Sequence, residues 1–407
     1  MGLFNRKANP QDTTDANGEP KEKKTGWKRP ANTAFKQQRL KAWQPILTPK
    51  TVLPTLFIIA IAFAPIGGLL IWGSSKVSEM TFDYSECENL SASASNDSLT
   101  FSDMPSNKYK YALGGDAAHA NPSRPRYAYL DNSQDDGFTD IFNQKQCIIE
   151  FNVPASIGPS VMLYYKLSNF YQNHRRYVNS LNSDQLLGKR QSASDLDDGD
   201  CDPLGSRDSL PIYPCGLIAN SIFNDTFYSP VLQNPPEDTE STTYEFTSKG
   251  IAWPGEAKKY VSSPIGGDGY SSVSDIVPPP NWMLQYPDGY TDDNPPPDLK
   301  NDEHFQNWMR TAGLPTFSKL YGRNDNDKMI AGTYRMVIGL NFPVLPYKGT
   351  KSIVITTVSW IGGKNPFLGW AYVAAAGLFC FLAIAGTARH LIRPRRLGDM
   401  SLLSWNR

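Results

Sequence analysis

Two apolar stretches without a charged residue, one near each end, set the limits on what this chain can fold into. The first covers residues 51–75 (TVLPTLFIIAIAFAPIGGLLIWGSS) and the second residues 365–388 (NPFLGWAYVAAAGLFCFLAIAGTA). Crossing a bilayer core of about 30 Å takes roughly 20 helical residues, so each stretch is long enough to span with some tilt. Two crossings put both termini on one side and make residues 76–364 a single loop on the other. The hydrophilic residues 1–50 ahead of the first stretch make it an uncleaved signal anchor, not a signal peptide.

Charge gives the orientation. Residues 1–50 hold 11 Lys and Arg against 4 Asp and Glu, and residues 389–407 hold 5 against 1. The middle of the chain is left with 24 against 35, so an overall charge of zero conceals basic tails and an acidic loop. The positive-inside bias places both tails in the cytosol and the loop outside. Basic tails beside a bilayer predict contact with anionic inner-leaflet lipid and not with nucleic acid.

Four of the five cysteines, Cys87, Cys147, Cys201 and Cys215, fall in the loop, and Cys380 lies in the second span. An even number in an oxidising compartment predicts two disulfides, for which three pairings exist; neighbours in sequence, Cys87 with Cys147 and Cys201 with Cys215, are the simplest. Zinc is the rival reading, and no CxxC pair supports it. Three glycosylation sequons begin at Asn89, Asn96 and Asn224, all in the loop.

Residues 1–30 have little to bury and are expected to be disordered. Thr33 to Trp43, with Phe35, Ala42 and Trp43 on one face, predicts a short helix on the inner membrane surface. Pro54, Pro65 and Gly67-Gly68 predict a bend in the first span, packed against another helix. Gly369, Ala376, Cys380, Ala383 and Thr387 give the second span a small-residue face. Such a face allows close approach, either of the first span or of a larger membrane partner.

The loop is large enough for one big or two small domains. Short alternating runs such as Cys147–Val153, Ser160–Tyr165, Tyr334–Leu340 and Ser352–Val358 predict an antiparallel β-sandwich. Helical insertions are expected at Phe305–Ala312 and within Lys166–Leu181, making the fold a disulfide-stapled, mainly-β α+β ectodomain between two transmembrane helices. Residues 183–202 form an acidic insert, and two triple-proline runs, Pro278–Pro280 and Pro295–Pro297, bracket a stiff loop.

Catalytic signatures are missing. The four histidines, His119, His174, His304 and His390, belong to no HExxH or GxSxG context. Asp195 to Asp200 departs from a calcium loop in the position of its glycine and lacks the closing glutamate. Lys23-Lys-Thr-Gly26 resembles the tail of a P-type ATPase phosphorylation motif but has no aspartate. No enzyme activity, cofactor or metal is expected; a two-span ion channel subunit and an ectoenzyme are the alternative readings.

Four segments, Asn169–Tyr177 (NFYQNHRRY), Cys215–Phe227 (CGLIANSIFNDTF), Phe305–Ala312 (FQNWMRTA) and Gly362–Gly369 (GGKNPFLG), resemble blocks of the ligand-effect-modulator and cell-division-control-fifty family. Phe35–Leu40, Leu47–Pro49 and Gly250–Trp253 match as well, in the right order, and fungal members are the most alike. These are β-subunits of type-IV P-type ATPases, the lipid flippases. The resemblance implies a non-catalytic subunit that escorts its pump from the endoplasmic reticulum to the Golgi, endosomes or plasma membrane. It would remain bound there while phospholipid moves from the exoplasmic to the cytosolic leaflet. It also implies disulfides Cys87–Cys147 and Cys201–Cys215 and a glycan on Asn224, with Asn89 slightly out of register and Asn294 disqualified by Pro295. Candidate contacts with the pump are Phe35, Arg39 and Trp43 on the tail and Gly369, Ala376, Cys380 and Ala383 in the second span. The aromatic and arginine blocks, including Arg175 and Arg176, are expected to be mainly structural.

Overall fold

A computed structural model describes residues 32–41, 47–93, 95, 98–133, 140–235 and 243–394. Trp43, Asn96 and the tail residues 1–31 and 395–407 lie outside this set. The chain forms two compact units, one of Phe57–Leu382 and the other of the chain up to Leu56 together with the chain from Ala383.

The apolar stretches form two long helices, α1 (Pro49–Ser75) and, at the far end, α3 (Phe367–Ile392), each long and apolar enough to cross a membrane. Within the larger unit their backbones meet at two glycines. A Cβ on Gly67 would lie 2.9 Å from the Gly369 carbonyl oxygen, and one on Gly369 would lie 2.6 Å from the Ile71 side chain. Phe63 then packs between Tyr372 (5.0 Å) and Phe379 (6.1 Å). Gly369, Ala376 and Ala383 recur every seven residues of α3 and all three are buried. At Gly369 the small-residue face lies against α1, because only glycine lets the backbones come this close. In the smaller unit Gly386 lies against Leu53 in the same way.

The expected helix at Thr33–Trp43 is replaced, among the described residues, by one hydrogen-bonded turn, with Gln37 and Arg39 donating to the carbonyls of Thr33 and Ala34. Gln38, in the left-handed region (φ 53°), ends it. So short a segment cannot offset the cost of helix nucleation with its own hydrogen bonds.

Residues between the long helices build two facing sheets. The first contains β1 (Glu79–Asp83), β2 (Tyr109–Ala112), β5 (Val161–Ser168), β6 (Phe317–Asn324) and β8 (Thr350–Thr357), in the antiparallel order β6-β5-β8-β1-β2. The second centres on β3 (Arg126–Asp131), β4 (Lys145–Val153) and β7 (Gly332–Gly339), with β4 in the middle. Short strands complete its edges; Ala92–Ser93, on β3, pairs in parallel. This is the antiparallel sandwich that the period-2 runs predict.

Alternation decides the core. Met80 and Phe82 of β1, Ile353 and Ile355 of β8, and Ile149, Phe151 and Val153 of β4 pack into one buried cluster. Phe82 and Phe151 meet across the two sheets at 5.0 Å. A one-residue slip in any of these strands would turn its apolar set outward. The odd-numbered residues of β5 serve two cores: Val161 and Leu163 lie in the sandwich, while Tyr165 and Leu167 belong to a second cluster shared with the insert between β5 and β6. That insert contains α2 (Glu303–Met309), N-capped by Asp302, which accepts from the amide of Phe305.

Cys87 is bonded to Cys147, tying the turn after β1 to β4 of the opposite sheet over a separation of 60 residues. Cys201 is bonded to Cys215 over 14 residues, inside a small cluster with Leu196 and Ile212.

Candidate functional site

Three of the segments singled out by resemblance, far apart in sequence, converge on the second core. Trp308 of α2 is fully buried and its indole nitrogen donates to the Ile218 carbonyl (2.8 Å). The Phe170 ring lies 5.6 Å from it, and Tyr165 stacks on Phe223 at 3.9 Å. The Gln172 side chain accepts from the Ala312 amide (2.8 Å), while the Tyr177 hydroxyl meets Ser221 Oγ (2.9 Å). Burial pushes the Tyr177 pKa up to about 12, so the phenol remains a neutral bridge. These aromatics bind the insert to the sheet, the structural role expected of them.

The same segments also present a surface. Tyr171, His174, Arg175 and Arg176 are exposed, and Arg176 pairs with Asp202 at 2.6 Å. Trp253 is exposed and stacks under the Arg310 guanidinium at 5.1 Å. Its loop is held by Glu303, whose carboxylate accepts from the amides of Gly250 (3.0 Å) and Ala252 (2.9 Å). Where α1 ends and α3 begins, Trp72, Trp360, Phe367 and Trp370 are exposed together. Phe35 and Arg39 are exposed on the tail, whereas Cys380 is half-buried.

Sequence reasoning missed two buried lysines. Lys351 on β8 and Asp225 are 4% and 0% exposed and lie 2.8 Å apart. Asp225 Oδ2 also accepts from Tyr84 (2.9 Å), and Oδ1 accepts from the amides of Asn341 and Phe342, both at 2.6 Å. All the carboxylate's neighbours are donors, which is what a buried charge needs. Lys319 on β6 donates to the carbonyls of Asn307 (2.8 Å), Trp308 (2.8 Å) and Arg310 (2.5 Å), closing the C-terminal end of α2. Burial, with Arg310 near, pushes its pKa down to about 7. A signal was present for both: each lysine stands at an inward position of an alternating strand, Lys351 in step with Ile353 and Ile355, and Lys319 with Phe317 and Tyr321.

Beside the second core lies a cleft of about 570 Å3, walled by Tyr171, Trp282, Phe342, Asn224, Asp302 and Asn341. Asn224 opens the sequon whose middle residue is the buried Asp225. Its backbone carbonyl accepts from Asn341 Nδ2 (3.2 Å), while its side-chain Oδ1 is buried without a hydrogen-bond partner among the described residues. Asn89, by contrast, is exposed at the end of the turn held by Cys87. No cluster of three metal-ligating side chains occurs among the described residues.

A family model described as LEM3 (ligand-effect modulator 3) family / CDC50 family matches residues 70–396, from within α1 to beyond α3. The chain belongs to the LEM3/CDC50 family. A Chaetomium thermophilum member named phospholipid-transporting ATPase accessory subunit CDC50 is 42% identical over 384 residues, 93% of this chain and 91% of that protein. The Saccharomyces cerevisiae accessory subunit LEM3 is 38% identical over 98% of this chain and 94% of its own. Mouse cell cycle control protein 50A is 37% identical over 88% of each. Thus the CDC50 match takes in the whole sandwich, both disulfides and the second core.

Proposed function

We propose that this chain is the non-catalytic accessory subunit of a phospholipid-transporting, type-IV P-type ATPase, with both ends cytosolic and the sandwich outside as the ectodomain. Membership of a family whose relatives are named accessory subunits of such ATPases, over nine-tenths of the chain, carries the reading. The architecture supports it: its interior chemistry is spent on rigidity, with two disulfides, an aromatic core under the insert and two internally bonded lysines. A stiff cap holds a partner's loops with little ordering cost at the moment of binding. The exposed Trp72, Trp360, Phe367 and Trp370 fit the outer membrane interface, where amphipathic rings collect. Ile58, Ile61 and Leu69 of α1, with Leu378 and Phe381 of α3, then face lipid or the pump.

In this reading the subunit escorts the pump out of the endoplasmic reticulum to the Golgi, endosomes or plasma membrane. It stays bound while phospholipid moves from the exoplasmic to the cytosolic leaflet. Glycans sit on Asn224 and Asn89, Asn96 is a third candidate, and Phe35, Arg39 and Trp43 serve as cytosolic contacts. Affinity purification of the native chain should bring down a P-type ATPase, and deleting the chain should leave that ATPase in the endoplasmic reticulum. Normal export of every such pump in the deletion strain would reject the escort role. Protease added to intact cells or sealed vesicles should cut the sandwich only from the exoplasmic side.

A further inference from the structure

We propose that the innermost sugars of the glycan on Asn224 fold back into the cleft beside this residue and form part of the wall between the insert and the sandwich. The inference rests on Asn224 being glycosylated, with Nδ2 displacing a lipid diphosphate carrier from the anomeric carbon and losing one proton.

Three observations carry it. The cleft, at about 570 Å3, falls in the range of roughly 300–1,000 Å3 that takes a compact ligand. Its lining combines aromatic rings with amides and a carboxylate: Tyr171, Trp282 and Phe342 with Asn281, Asn341 and Asp302. Sugars present the matching chemistry, apolar C–H faces for rings and hydroxyls for amides. Finally, Asn224 itself lines the cleft. A sugar attached at its Nδ2 is tethered beside the cleft, at a high effective concentration.

Tyr171 and Tyr347 stand exposed at the rim and can be truncated without opening a core. The test follows enzymatic deglycosylation of the full-length protein by glycoamidase, with mass spectrometry of the Asn224 peptide. Release from the folded protein should be at least about tenfold slower than from the denatured chain, the change that about 1.4 kcal/mol of contact would give. The double variant Tyr171→Ala/Tyr347→Ala should regain most of that rate while its melting temperature falls by no more than roughly 3 °C. Equal rates folded and denatured, or no effect of the double variant, overturn the proposal. Fast release from the isolated subunit that becomes slow only in the ATPase complex would also overturn it, in favour of a loop of the partner. An Asn224 peptide carrying no sugar would refute the glycan reading itself, and mass distinguishes that failure from the others.

Discussion

Replacing Lys351 by methionine removes the ammonium that faces the Asp225 carboxylate while keeping most of the stem that packs beside the Tyr84 ring, where Nζ lies 5.2 Å from the centroid. Asp225 keeps three donors, Tyr84 and the amides of Asn341 and Phe342, but it is fully buried and now carries an uncompensated charge. Breaking a buried pair in this way costs about 3–5 kcal/mol. For a domain of this size that lowers the melting temperature by roughly 5–8 °C. Asp225→Asn keeps the sequon readable as Asn-Asn-Thr, so glycosylation is not a confounding variable. The double variant Lys351→Met/Asp225→Asn should then be less destabilised than the sum of the singles by at least about 1 kcal/mol, the coupling typical of directly bonded groups. Thermal melts of the four purified proteins at neutral pH make the measurement. A loss below about 1 kcal/mol for Lys351→Met, or strict additivity in the cycle, would refute the argument. It would mean that water reaches the pair and that β8 is not held to the Asp225 loop by charge.

Three further outcomes follow from the geometry. Because burial depresses Lys319 to about 7, the folded state binds fewer protons than the unfolded chain above that pH. Stability should therefore rise from about pH 7 toward pH 9, and Lys319→Met should flatten that slope; a flat wild-type curve would mean that the three carbonyls keep the ammonium charged throughout. Gly369→Val should spread α1 from α3, seen as loss of cysteine crosslinking engineered across the pair, whereas Gly377→Ala, with nothing within 4 Å of its added Cβ, should be neutral. Crosslinking that survives Gly369→Val would rule out the close seam. Removing Cys87–Cys147 should cost about 4 kcal/mol and Cys201–Cys215 about 3 kcal/mol, following the lengths of the loops they close. The reverse order in melts of the two double-serine variants would show that loop length does not govern their contributions.

Much of the architecture was written locally. Charge-free runs longer than a bilayer is thick can only be long helices or core, so α1 and α3 were legible from residues 51–75 and 365–388 alone, within a few residues at their ends. Period-2 runs such as Cys147–Val153 and Ser352–Val358 announced strands with one buried face, and a sandwich is how two such sheets hide those faces. Family membership was legible too, because blocks such as Asn169–Tyr177 and Phe305–Ala312 survive as contiguous text.

Which surfaces those elements use was decided in three dimensions. Gly369 and Ala376 read as an invitation to any helix, and only the backbone contact at Gly67 shows that α1 takes the glycine at the head of that face. Thr33–Trp43 read as a helix, yet its described part keeps only the turn that its own hydrogen bonds hold. Lys351 and Asp225 lie 126 residues apart in sequence, and Asn224 shares its cleft with Tyr171 and Trp282 only after the insert has folded onto the sheet. Periodicity and composition act between neighbours in the chain, so they determine the elements; charge pairing, close helix approach and cavity walls act between neighbours in space, and those exist only once the chain has folded.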